Sequence, residues 1–191
     1  MPRTTEAAHA GASMRARIGG YAVDMVIFAA IAMIVVVFAG FLLLATTDWA
    51  KKDPSDPQFY LFLGIIGVGA PLAWTVLNVC LLATRGQTGG QYVAAIRLVS
   101  ESGDRISPRA AAVWWFCFNP LLFSWPMACV AGLPLAAVLA AVPKVSTLAF
   151  LLALLTICLT SPLIALVSAL LDGQHRALHD RIAGVVTVPA S

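Results

Sequence analysis

Charge is what this sequence lacks. Only 11% of its 191 residues are Asp, Glu, Lys or Arg, while 60% are hydrophobic. A soluble domain carries about 25% charged and 45–50% apolar residues. So little charge excludes a water-facing surface over most of the chain. The markers of common chemistries are missing too. Cys80, Cys117, Cys129 and Cys158 all lie in apolar stretches with no CxxC or Cys/His spacing. They read as small hydrophobes in helix interfaces, not as a metal or disulfide framework. The glycine-rich GQTGG at 86–90 lacks GxxxxGK[ST] spacing, which argues against nucleotide binding. No basic patch with interleaved aromatics suggests a nucleic-acid partner. His175 and His179 are four apart, but the intervening RAL has no HExxH glutamate and no third ligand is evident. Neither a metal, a cofactor nor a catalytic Ser/His/Asp set is expected, so the chain does not read as an enzyme.

What is present is long apolar runs. Residues 25–47, 59–83, 110–143 and 145–171 carry no charge. Each exceeds the roughly 18 residues that mark a span across a bilayer core of about 30 Å. The first run is too long for a signal-peptide core, and further spans follow it. Helical residues over 110–143 would extend roughly 51 Å, too far for one straight span. Pro120, Pro126, Pro134 and Pro143 interrupt that run. It therefore divides into a span at about 110–131 and a short outer-face or re-entrant helix at about 134–142, with Pro134 in its first turn. The other spans fall at about 20–45, 59–83 and 147–171. The expected fold is an all-α membrane protein, a four-helix transmembrane bundle. Residues 1–16 form a disordered tail, and 17–191 form a single membrane domain.

The basic residues orient this bundle. Arg3, Arg15, Arg17, Arg85, Arg97, Arg105, Arg109, Arg176 and Arg181 fall on one side, against Lys51, Lys52 and Lys144 on the other. The loops are short, so the positive-inside rule places both termini in the cytoplasm. Asp48, Asp53 and Asp56 offset the three lysines, leaving the net charge of +3 on the cytoplasmic face. On that face YVAAIRLV, the turn-forming SESGD and the C-terminal AGVVTV predict a small β-hairpin or sheet between helices 2 and 3, which the C-terminus could join.

Three pieces then align. RIGGYAVD opens the first span, GQTGGQYVAAIRLV follows the second, and DGQHRALHDRIAGVVTV follows the last. In this order they resemble the RDD family of bacterial membrane proteins, named for one arginine and two aspartates. Arg17 looks like the family arginine, Asp24 the first aspartate and Asp180 the second. Gly86, Gln87, Thr88 and Gly89 match the GQTxG signature, and Arg97 the basic residue of the segment after it. Gln91 stands where the family often has lysine. No family motif is visible over about 110–160. The resemblance implies a multi-pass protein of the bacterial plasma (inner) membrane, of a kind often suggested to be involved in transport, with no agreed substrate.

Asp24 admits two readings. It falls in the first turns of its helix, where negative charge is favoured, and near the membrane edge, where burial costs less than at the centre. Arg17, Tyr21, Asp24 and Phe28 recur at helical spacing on one face. In one reading Arg17, Asp24 and Asp180 form an ionic lock that ties the first helix to the C-terminal segment. In the other, Asp24 is a proton- or cation-binding carboxylate on a transport path. Asn78, Asn119, Thr75, Ser124, Ser161 and Ser168 are expected to hydrogen-bond between helices. Two functions follow: a small transporter or ion-coupled permease, open to homo-oligomerisation because four spans make a thin scaffold, or a membrane scaffold docking a cytoplasmic protein.

Overall fold

The computed structural model describes residues 11–117, 119–139 and 144–190. Among them the chain forms α1 (Met14–Thr46), α2 (Asp56–Arg85), α3 (Gly89–Val93), β1 (Ile96–Ser100), α4 (Pro108–Phe116), α5 (residues 125–139), α6 (Lys144–Leu171), α7 (Leu178–Ala183) and β2 (Val185–Pro189). Each boundary has a local cause. Ser55 precedes α2 with Pro57 in its first turn, and its backbone N–H donates to Gln58. Gly86, left-handed at φ 68°, stops α2. Ser107 accepts the Ala110 N–H and Pro108 opens α4. Gly184, at φ 65°, ends α7. The helix of the first span begins at Met14, inside the segment expected as a tail; residues 1–10 of that tail lie outside the described residues.

Among the described residues, three helical segments are long and apolar enough to cross a membrane: Met14–Thr46, Asp56–Arg85 and Ala149–Leu171. Val26, Met33, Val37, Phe41, Leu72, Leu155, Leu163 and Leu170 are among their exposed side chains, as a lipid-facing surface requires. The expected third span at 110–131 is not one continuous helix, so the described residues bear out membrane-spanning helices but not the count of four. The helix α4 ends at Cys117, whose ψ of 83° leaves the helical region. Proline at 120 disfavours helical geometry at Asn119. The Asn119 side chain then closes the break, donating to the Trp114 carbonyl at 3.2 Å and accepting the Leu121 N–H at 2.9 Å. The helix expected at about 134–142 is present over Leu133–Leu139, but as the end of α5; residues 140–143 lie outside the described residues.

The chain divides into two compact units. One comprises Phe28–Trp74 and Ser124–Leu159. Its helices approach closely at small residues: Gly67 faces the Ala131 carbonyl and Pro134, and Gly132 faces Leu154. Phe28 packs on Trp74 with ring centroids 5.7 Å apart. The π-helical turns Ile65–Gly69 of α2 and Ala128–Gly132 of α5 meet within this unit.

The other unit comprises Met1–Ile27, Thr75–Phe123 and Thr160–Ser191. It holds the start of α1, the ends of α2 and α6, and the expected sheet. Strands β1 and β2 pair antiparallel, from Ile96 opposite Pro189 to Ser100 opposite Val185. The Ala12 N–H donates to the Thr187 carbonyl at 2.8 Å, which ties the N-terminal segment to the same sheet.

Candidate functional site

The site lies wholly in the sheet-bearing unit and is built on two buried aspartates. Asp24, on α1, is 1% exposed. One carboxylate oxygen accepts the Thr88 hydroxyl at 2.6 Å and the other accepts the Gly90 N–H at 2.7 Å. Thr88 is the N-cap of α3. Its hydroxyl oxygen also accepts the Gln91 N–H at 3.1 Å, and Gln91 returns a bond to the Thr88 N–H at 2.9 Å. The GQTGG segment is therefore a capping box presented to α1, with Asp24 seated where a helix N-terminus favours an anion. Gly90 makes the approach feasible. A Cβ there would collide with the Gly20 carbonyl oxygen and come within 2.7 Å of the Asp24 carboxyl carbon. Gln91 is what completes the box.

Asp180, in α7, is fully buried. Arg17 donates from Nη1 to its Oδ2 at 2.7 Å, and the Ala177 N–H reaches the same oxygen at 3.1 Å. The Trp114 indole N–H donates to Oδ1 at 2.6 Å. One carboxylate thus joins α1, α4 and the start of α7. His179 stands beside it, edge-on to Trp114 at 5.2 Å, with Nε2 3.2 Å from the Tyr21 hydroxyl. Burial holds the His179 pKa below its ordinary value of 6.5; neighbouring Asp180 opposes that shift and Arg17 adds to it.

Arg17, Tyr21, Asp24, Trp114, His179 and Asp180 line a cavity of about 20 Å³. A single water needs roughly 10–15 Å³ of such space. Arg17 Nη2 and His179 Nδ1 are buried without a hydrogen-bond partner among the described residues.

The expected three-residue lock is thus two linked arrangements. Arg17 pairs with Asp180, but Asp24 has no ion-pair partner among the described residues and bonds to Thr88 and Gly90 instead. Arg17 and Asp24 are two helical turns apart, and each finds its partner in a different segment. Gln87 donates to the Ile96 carbonyl at 2.9 Å and holds the loop to β1, whereas Arg97 is exposed on β1, away from the aspartates. His175 and His179 do not share a helix face, since His175 lies before α7 at φ 56°. Asn119 bonds within its own break rather than between helices. Ser168 behaves as expected of a linking hydroxyl and accepts the Leu178 N–H at 2.8 Å. The sequence reading missed Trp114 and Gly90. The doubled glycine at 89–90 was a visible hint of close backbone approach; nothing distinguished Trp114 from the adjacent Trp115.

The geometry agrees with what the comparisons find. The model of the RDD family matches residues 11–184. No curated protein and no solved structure matches the chain. The matched segment covers the arginine, both aspartates and the capping loop, and the chain belongs to the RDD family.

Proposed function

We propose that this RDD protein is a membrane scaffold of the bacterial inner membrane, with both termini cytoplasmic, that presents its sheet-bearing unit to a soluble protein. The observation that carries this reading is the state of the two aspartates. All four carboxylate oxygens accept hydrogen bonds from the protein itself. Carboxylates so engaged act as structural acceptors, whereas a coupling site must exchange its ligand. Exposed Tyr92 and Val93 on α3 and Ile182 on α7 supply apolar contacts on the two signature segments. The nine-to-three distribution of basic residues supports a cytoplasmic placement of this unit, which also contains the ends of α1, α2 and α6 nearest those arginines.

One observation favours a second reading, ion-coupled transport: the cavity beside Asp24, with its two unpartnered nitrogens. Reconstituted protein screened for proton- and sodium-coupled flux separates the two. The scaffold reading expects no flux above empty liposomes. It also expects a photo-crosslinker at Tyr92 to give a discrete adduct with a soluble protein, while one at Val26 gives lipid adducts. Flux that Asp24→Asn abolishes would replace the scaffold with a transporter.

A further inference from the structure

A second cavity, of about 120 Å³, lies in the same unit between the end of α2 and the sheet. At roughly 10–15 Å³ per water it admits several waters or one small polyatomic anion. It is well below the roughly 300–1,000 Å³ of a drug-sized ligand site. Its lining includes Arg85, Arg97 and Arg105, and no carboxylate.

Each arginine comes from a different segment, and backbone bonds hold the segments in place. Arg85 is the last residue of α2. The left-handed Gly86 turns the chain there, and its carbonyl accepts the Leu98 N–H at 2.7 Å. A side chain at 86 would meet the Leu98 carbonyl oxygen at 2.9 Å, so α2 and β1 are in close contact. Arg97 is the exposed residue of β1 beside Leu98. Arg105 is bridged antiparallel to Val99 of β1, and its Nη2 donates to the Thr84 carbonyl in the last turn of α2 at 3.3 Å. The acidic residues of the β1–α4 loop are engaged elsewhere. Glu101 pairs with Arg176 at 2.7 Å, and Asp104 accepts the Ser102 hydroxyl at 2.8 Å. Arg85 and Arg97 have no ion-pair partner among the described residues.

Three arginines among the residues that line a small concave space select a compact anion with several acceptor oxygens. Phosphate matches the arginine fork in both charge and geometry. Position selects the source. Arg85 closes an apolar helix of 30 residues, so the pocket stands where the hydrocarbon-matching run ends and headgroups begin. We propose that this pocket binds the phosphate of an anionic phospholipid headgroup.

The test uses the full chain in an uncharged detergent. Phosphatidylglycerol, oleate and inorganic phosphate are the probes. Thermal unfolding and native mass spectrometry are the readouts. Phosphatidylglycerol should raise Tm and be retained at one molecule per chain. R97Q should weaken that response at least fivefold, and R85Q should do likewise. Neither side chain makes a hydrogen bond among the described residues, so both variants should fold. R15Q removes the same charge from an exposed position outside the pocket and should respond as the wild type does. An equal loss in R15Q would reduce the effect to diffuse surface charge and overturn the site. Oleate acting as strongly as phosphatidylglycerol would rule out phosphate selection. Inorganic phosphate reproducing the full Tm shift would assign the pocket to a free anion and overturn the lipid assignment.

Discussion

Arg17→Met and Asp180→Asn, alone and together, ask whether the contact at 2.7 Å is the tie that joins α1 to the C-terminal segment. The two side chains are 9% and 1% exposed, so neither charge has water to fall back on. Removing one partner of a buried pair costs about 3–5 kcal/mol, largely for the charge left behind. Here the low end applies to Arg17→Met, because Asp180 keeps its bonds from Trp114 and the Ala177 N–H. The double variant has no orphan charge. Its destabilisation should therefore fall short of the sum by about 2 kcal/mol, well outside the roughly 0.5 kcal/mol within which independent sites add. A second cycle, Arg17→Met with Asp24→Asn, should couple much more weakly, because Asp24 is held by Thr88 and Gly90. A third, Asp24→Asn with Thr88→Val, should couple by about 1.5–3 kcal/mol, the scale of a hydrogen bond to a charged group. Equilibrium unfolding in mixed micelles reads all three. Additivity of Arg17 with Asp180, or an Arg17–Asp24 coupling as large as theirs, would refute the partner assignment.

Two further outcomes follow from the same unit. Gly90→Ala places a methyl group on the Gly20 carbonyl oxygen, a backbone atom that cannot move aside cheaply, and should cost at least the upper end of the ~1–3 kcal/mol of overpacking; Gly19→Ala, with nothing within 4 Å of its Cβ, should be tolerated, and equal Tm values for the two variants would contradict the close approach. His179 has a folded pKa below its ordinary 6.5, so the unfolded chain takes up a proton that the native state refuses. Stability is then full above that value and falls as pH drops through it, by at most about 1.4 kcal/mol per pH unit. His179→Gln should flatten the profile between pH 7 and 5.5, and an unchanged slope in that variant would place the titration elsewhere.

The charged signature was legible because charge is scarce here. In a chain with this few ionisable residues, an arginine and an aspartate at one end of an apolar run stand out, and burial leaves them little choice but to find partners. Which partners they find was not legible. Helical periodicity places Arg17 and Asp24 on one face, yet it cannot say what packs against that face. Asp24 meets the Gly90 amide, a backbone group with no sequence signature beyond the missing side chain. The sheet was legible from β-branched runs, and among the described residues Val185–Pro189 has no strand but β1 to join. The break after α4 was not. Its four prolines were visible in the sequence, but composition alone could not decide which one interrupts the helix. Pro120 does so because Asn119 immediately before it replaces the lost helical bonds with bonds from its own side chain.

The two aspartates share one device. Each carboxylate serves the N-terminus of a helix too short to stand alone: Asp24 for the five residues of α3, Asp180 for the six of α7. Isolated helices of that length are unstable in water, because nucleation outweighs the few bonds gained. A buried anion at each N-terminus satisfies amide groups that would otherwise lack partners. Those short helices lead into β1 and β2, so the caps help set where each strand begins. The sheet in turn carries Arg97 and holds Arg105 at the end of α2. A change at Asp24 should therefore be felt at the arginine pocket through α3 and β1, with no direct contact between the two sites.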